Sequence, residues 1–187
     1  MSRDVDNLPT GLGHDVCCDV NRRAVPAVFL SKDRFMDNKD VISTLNDLIE
    51  TCKDGEYGFR ECAEHTKSES LRSLFTARAQ DCEKASRELQ MQVSQLGGEP
   101  DTGGSASGAL HRGWVAVRAT LTGYSDQAML DECERGEDAA LARYRKALKQ
   151  SLPPSVMSIV SRQAEGAQRN HDQIRDLRDR MKASPSS

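Results

Sequence analysis

The sequence has few aromatic residues and no long apolar run, and these shortages exclude several classes of protein. Phe, Trp and Tyr make up only 4% of the 187 residues, which is little for the core of a sheet protein. No stretch approaches the roughly 20 apolar residues of a membrane-spanning helix. The opening "MSRDVDNLPTGLGHD" has no apolar secretory segment. The sequence therefore predicts a cytoplasmic protein with no membrane contact.

An excess of one charge is also lacking. The net charge is −3, and acidic and basic residues are mixed along the chain. This mixture argues against a nucleic-acid-binding surface. Ala, Glu, Arg, Leu and Gln are abundant instead, which is typical of a helical bundle. The length is sufficient for one domain with a substantial core.

Motifs for catalysis and for a zinc ribbon are absent. The six cysteines form no CxxC pair, and four of them lie in predicted helices, where cysteine is usually a small apolar filler. Cys17 and Cys18 lie in the N-terminal tail, where a metal or redox role stays open beside that of unpaired thiols. No Ser/His/Asp set, phosphate-binding loop or nucleophile motif is present, so the sequence predicts no catalytic residue and favours a protein that is not an enzyme.

Apolar residues recur at intervals of three and four, which predicts long amphipathic helices. We expect a loosely ordered tail over residues 1–37, a bundle over 38–182 and a disordered tail over 183–187. The predicted helices, named A to D, cover about residues 38–66, 69–96, 126–150 and 153–182. The link between B and C contains a short fifth amphipathic helix at about 109–121.

The lengths of the links predict how the helices are connected. Tight turns join A to B and C to D, so each pair forms an antiparallel hairpin. The long B–C link can carry the chain back along the bundle, so that C runs parallel to B. One long crossover is the connectivity of a ferritin-like four-helix bundle, and the predicted fold class is therefore all-α and ferritin-like.

All of the predicted helices place polar side chains on their apolar faces. At about 1.5 Å rise per residue, these side chains fall within about two turns of one height. They are Glu56 on A, Arg78 on B, Glu134, Glu137 and Tyr144 on C, and Gln163 and His171 on D. Because isolated buried charges are costly, a metal or a set of protein partners must compensate them.

Two interpretations of this polar layer are open. Glu56, Glu134, Glu137 and His171 have the chemistry of ligands for iron, manganese or zinc. Alternatively, Arg78 bridges Glu56 and the acids of helix C, while Tyr144, Gln163 and His171 complete a hydrogen-bond network. The absence of any Glu-x-x-His motif and the cation at Arg78 favour the second interpretation over a di-metal centre.

The stretches "VISTLNDLIETCKDGEYGFRECAEHT", "LGGEP", "GALHRGW", "ECERGEDAALARYRKAL" and "RNHDQIRDLRD" resemble bacterial proteins of domain-of-unknown-function family 2383. The resemblance covers about residues 38–182 and implies a ferritin-like bundle without an established activity. It implies a metal centre as one option, brings no catalytic residue, and suggests a role in stress physiology. Nothing in the sequence fixes the oligomeric state, and a homo-oligomer stays open.

Overall fold

The computed structural model describes residues 36–102 and 125–183, which are helical apart from their ends and short connections. The described helices are α1 (Asn38–His65), α2 (Glu69–Gln95), α3 (Asp126–Leu148) and α4 (Pro154–Ala183). These confirm the predicted helices A to D. The fifth helix at 109–121 lies outside the described residues, as do the tails apart from residues 36, 37 and 183. None of the described helices is long and apolar enough to cross a membrane.

Local signals in the sequence set the helix ends. Ser68 and Ser125 each accept a hydrogen bond from the backbone N–H three residues later, which caps the starts of α2 and α3. The chain leaves α2 through Gly97, whose φ of 77° suits glycine. The N–H groups of Gly97 and Gly98 bond back to carbonyls of the last turn of α2. This pair of bonds is a Schellman motif, which ends the helix.

Contacts between α1 and α3 run in opposite order along the two helices. The pairs are Thr66 with Asp126, Cys62 with Cys133, Cys52 with Tyr144, and Thr44 with Gln150. Because α1 and α2 also form an antiparallel hairpin, α3 runs parallel to α2. The described chain after α2 turns back along α1, where Asn46 bonds the carbonyl of Glu99 and Lys53 bonds that of Thr102. This path is the start of the long crossover.

The apolar core consists of two clusters at different heights of the bundle. One cluster joins Val41–Cys52 of α1 to Tyr144 and Ala147 of α3 and to the start of α4. The other joins Phe59–Ala63 to the starts of α2 and α3 and to Ile174. Polar residues from all of the described helices line a cavity between the clusters.

Candidate functional site, a cavity lined by thiols and carboxyls

All of the described helices contribute to a cavity of about 690 Å³ between the two apolar clusters. The apolar side chains of its walls are mostly small, since glycines and alanines predominate beside the ring of Phe59. Its polar and thiol lining includes Cys52, Asp54, Arg78, Cys82, Cys133, Glu137, Arg143, Tyr144 and Gln163. A mostly apolar cavity with a few converging polar groups is the usual form of a small-molecule site.

Glu137 is the buried acid of this cavity. It is 6% exposed, and its carboxyl takes part in no hydrogen bond or ion pair observed within residues 36–102 and 125–183. Burial raises the pKa of Glu137 from 4.5 to about 7, although the nearby Arg78 guanidinium acts in the opposite direction. The carboxyl is therefore poised to change its charge near neutral pH.

Asp54 is a second carboxyl with incomplete compensation. Its Oδ1 atom is buried and has no hydrogen-bond partner in the described part of the chain, while its Oδ2 atom lies 3.8 Å from Arg143. Burial raises the pKa of Asp54 from 3.8 to about 7, with Arg143 lowering it and Glu50 raising it further. Asp54 and Glu137 thus line one cavity with similar, raised pKa values.

A chain of hydrogen bonds starting at the Tyr144 hydroxyl touches all of the described helices. The hydroxyl donates to Gln163 Oε1 at 3.1 Å and lies 3.3 Å from the Cys52 sulfur, whose proton it can accept. Gln163 Nε2 donates to Glu88 at 2.8 Å and to the Ala85 carbonyl at 3.3 Å. Burial raises the pKa of Tyr144 well above its ordinary value, so the hydroxyl keeps its proton.

The thiols of the cavity are protonated rather than reactive. Burial raises the pKa of Cys52 to about 11 and raises that of Cys82 as well. Gly55 lies against Cys82, since a Cβ atom at Gly55 would lie 2.9 Å from the Cys82 sulfur. The missing side chain at Gly55 therefore lets α1 and α2 approach each other at this level.

Cys62 and Cys133 form a separate thiol pair between α1 and α3, with their sulfur atoms 3.5 Å apart. Both are buried, and Cys133 also lines the cavity. The hydrogen bond with Cys62, followed by burial, raises the pKa of Cys133. Oxidation of this thiol pair at neutral pH is therefore expected to be slow. The two sulfur atoms need to move only a short distance to form a disulfide bond.

We expect a thiol oxidant such as diamide to join Cys62 to Cys133. In a chain carrying Cys17→Ser and Cys18→Ser, peptide mass spectrometry after alkylation should find this disulfide as the main product. Cys62→Ser should abolish it. A product that instead joins Cys52 to Cys82 would contradict the expectation.

The structure brings together four of the seven residues of the predicted polar layer. Arg78, Glu137, Tyr144 and Gln163 line the cavity, whereas Glu56, Glu134 and His171 are not among its lining residues. Arg78 differs from the bridging role expected of it. Its guanidinium donates to Asp81 at 2.9 Å and to Gln173 at 2.8 Å, because these polar groups of α2 and α4 lie nearer its tip than the acids of α3 do.

The other three residues have protein partners of their own. Glu56 pairs with Arg60 one turn along α1, at 2.7 Å. Glu134 pairs with Arg178 of α4. The ring of His171 lies between Asp138, at 3.0 Å from Nε2, and Asp172, at 3.2 Å from Nδ1. A hydrogen bond from His171 lowers the pKa of Asp172.

The residues of a di-metal centre, which the ferritin-like fold suggests, are not assembled here. In residues 36–102 and 125–183 no group of three or more His, Cys, Asp or Glu side chains has the geometry to hold a metal ion. The partners of Glu56, Glu134 and His171 explain why, since each of these side chains already contacts a charged residue: Arg60, Arg178 and Asp138 respectively.

Sequence reasoning did not single out Asp54 or the convergence of three thiols on the cavity. Cys52 and Cys82 lie on the predicted apolar stripes of helices A and B. Their positions could have indicated a shared cavity, since thiols on facing helices can line a common space. Asp54 gave no such signal, because it lies on the opposite side of the helix from the predicted apolar stripe, and its burial depends on how α3 packs against α1.

The fold is shared with solved structures. A dodecameric thioferritin, the bacterioferritin-related protein of Bacteroides fragilis, is 16% identical with a TM-score of 0.68, and the match covers 81% of this chain and 94% of that one. A two-domain protein of Anabaena variabilis with DJ-1/ThiJ/PfpI-like and ferritin-like domains is 11% identical with a TM-score of 0.64. That match covers 82% of this chain but only 41% of the Anabaena chain.

The sequence comparisons give the family. No curated protein matches this chain. The profile of the family described as "Domain of unknown function (DUF2383)" matches residues 40–150, which is more than half of the chain. The chain therefore belongs to the DUF2383 family and has a ferritin-like fold.

Proposed function

We propose that the protein is a non-catalytic ferritin-like bundle whose polar interior holds its two hairpins in register, and that it acts as a structural or interaction protein. The observation that carries this proposal is the hydrogen-bond chain through Tyr144, which joins Cys52 of α1, Gln163 of α4 and Glu88 of α2. Directional bonds of this kind specify one alignment of the helices, whereas apolar contacts alone tolerate sliding.

Further polar bonds between the two hairpins support the same role. Arg162 of α4 pairs with Glu88 of α2, and Arg143 of α3 donates to Thr51 of α1 at 2.9 Å. Arg143 and Thr51 line the cavity, where apolar packing is interrupted. Arg162 and Glu88 lie within two residues of Val160 and Leu89, which belong to the first apolar cluster. The geometry of these bonds fits a role in alignment and needs no bound metal.

Tyr144→Phe tests the role of this hydrogen-bond chain. The change keeps the ring but leaves the Gln163 oxygen without its donor and the Cys52 thiol without its acceptor. We expect the free energy of unfolding to fall by about 1–2 kcal/mol in urea denaturation.

A double-mutant cycle supplies the control for that measurement. Combining Tyr144→Phe with Gln163→Met should cost less than the sum of the single changes, because the first change has already broken the bond. Strictly additive effects, or an unchanged stability in Tyr144→Phe, would contradict the alignment role.

Metal binding is the second candidate function, with iron, manganese or zinc as the ion. Glu137 favours it, because a buried carboxyl facing a cavity calls for a cation. Metal analysis of the untagged protein separates the two functions. Near-stoichiometric metal that is lost in Glu137→Gln would support this second candidate against the first.

We also propose that the chain forms a homo-oligomer. The support is the ferritin-like neighbour from Bacteroides fragilis, which is described as dodecameric. Light scattering coupled to size-exclusion chromatography tests this, and a monomer at every concentration would refute it. The cytoplasmic location, the absence of nucleic-acid binding and the role in stress physiology stay predictions.

A further inference from the structure

The cavity combines a volume suited to a small molecule with a buried acid that lacks a partner. Ligand sites commonly enclose roughly 300–1,000 Å³, and this cavity measures about 690 Å³. Glu137 is only 6% exposed and lines this cavity, and its carboxyl forms no hydrogen bond with any described residue. A buried carboxyl without a partner is costly when it is ionised. Arg78 offsets only part of this cost, and a ligand that supplied a closer counter-charge would remove more of it.

Most donors beside Glu137 are already engaged. Arg78 donates through its two terminal nitrogens to Asp81 and Gln173, and only its buried Nε has no acceptor among the described residues. Arg143 donates to Thr51. The Gln163 amide nitrogen donates to Glu88 and to a backbone carbonyl. A complementary ligand would therefore bring its own donors.

The charges of the lining leave a surplus of negative charge. Of the described lining residues, five are acids and four are arginines: Glu50, Asp54, Asp81, Glu132 and Glu137 face Arg78, Arg135, Arg143 and Arg169. Three arginines lie within 4 Å of a lining acid, in the pairs Arg78–Asp81, Arg135–Glu132 and Arg143–Asp54. Glu50 and Glu137 have no ion pair within 4 Å among the described residues. Arg78 attracts Glu137 from a greater distance, and Arg169, the remaining lining arginine, is exposed.

We infer that the cavity binds a small organic ammonium ion, a primary amine on an aliphatic body, with its cationic head at Glu137. An ammonium group has three donors and no acceptor, which complements a lining rich in acceptors. The Tyr144 hydroxyl and the ring of Phe59 lie on the same cavity, where a cation is also attracted to an aromatic face.

The body of the ligand would lie against the thiols, alanines and glycines of the wall. A bare metal ion fits this cavity less well, because it needs several ligands at fixed distances and no such group is found in the described residues. One carboxylate with weaker acceptors around it is enough for an ammonium head.

Isothermal titration calorimetry of the full-length protein in phosphate buffer at pH 7.5 tests this site, with n-hexylamine, 1-hexanol and hexanoate as probes. These share one aliphatic chain and differ only in the head group. We expect hexylamine to bind about tenfold tighter than hexanol, and hexanoate to bind weakest, since only the ammonium pairs with Glu137. Equal affinities, or no binding of hexylamine, would overturn the ammonium site without any variant being needed.

Glu137→Gln should remove the advantage of hexylamine over hexanol, and Glu56→Gln is the matched control. Glu56 lies on α1 outside the lining and pairs with the exposed Arg60, so this change should leave the affinity unaltered. An advantage that survives in Glu137→Gln would overturn the assignment. So would Glu137-dependent binding of Fe²⁺ or Zn²⁺ that hexylamine does not displace. These binding measurements do not test the alignment role of Tyr144, because that role is tested by the free energy of unfolding.

Discussion

Glu137→Gln is expected to raise the free energy of unfolding at pH 8 by about 3 kcal/mol. The pKa of this carboxyl is raised by burial from 4.5 to about 7 in the folded protein. At about 1.4 kcal/mol per pKa unit, keeping the ionised acid in the fold costs about 3 kcal/mol above pH 7. The amide has nearly the same shape and carries no charge, so it avoids this cost.

The sign of the pH dependence follows from the direction of the shift. Because the folded pKa lies above the unfolded one, the folded state binds more protons between about pH 4.5 and pH 7. The stability from Glu137 is complete below pH 4.5 and is lost as the pH rises through about 7. Asp54, whose pKa is also raised to about 7, acts in the same direction and leaves a residual slope in the variant.

The charged and titratable groups on the same cavity come from every described helix. They are Glu50, Cys52 and Asp54 on α1, Arg78, Asp81 and Cys82 on α2, Glu132, Cys133, Arg135, Arg143 and Tyr144 on α3, and Arg169 on α4. Arg78 is the one that lowers the pKa of Glu137, and its effect is smaller than that of burial.

Urea denaturation from pH 5 to pH 8.5 measures the effect. The wild-type protein should lose stability as the pH rises, and Glu137→Gln should lose much less. Glu56→Gln should follow the wild-type curve, because its exposed ion pair with Arg60 contributes little. A Glu137→Gln curve parallel to that of the wild type would show that this carboxyl is ionised in the fold without cost.

The fold could be predicted because its signals are local and repeated. Each described helix exceeds 20 residues, so the apolar spacing recurs over many turns. Ser68 and Ser125 mark helix starts by accepting hydrogen bonds through their side chains, and Gly97 marks a helix end by its positive φ. The length of the link after α2 then indicates the ferritin-like connectivity. These inferences need no knowledge of which side chains meet.

The candidate site could be predicted only in part. A helical wheel shows which side of a helix a residue lies on, but it does not show which partner the side chain contacts. Glu134 and Glu137 stand three residues apart on one face of α3, and the wheel placed both inwards. The structure separates them, since Glu134 turns to Arg178 whereas Glu137 stays on the cavity. The long side chain of Arg178 extends from α4 to α3, where its guanidinium contacts the Glu134 carboxylate. A contact of this kind depends on the packing of two helices, which the sequence does not specify.

Arg178→Met is expected to lower the free energy of unfolding by about 3 kcal/mol, because it leaves the charge of Glu134 buried without a partner. The Glu134 side chain is only 11% exposed and that of Arg178 is 21% exposed, so water compensates little of the lost attraction. Methionine keeps much of the aliphatic volume, and the loss therefore reports the charge rather than a cavity.

Two further variants identify the charge of Glu134 as the cause. The double variant Glu134→Gln with Arg178→Met should recover most of the lost stability, because it buries no unpaired charge. Arg60→Met breaks the pair with Glu56, in which the Arg60 side chain is 56% exposed, and should cost less than about 1 kcal/mol. If Arg178→Met cost no more than Arg60→Met in urea denaturation, the pair of Glu134 and Arg178 would behave as a surface contact. Glu134 would then be free to serve as a ligand, and the metal-binding candidate would gain the second carboxylate that it lacks.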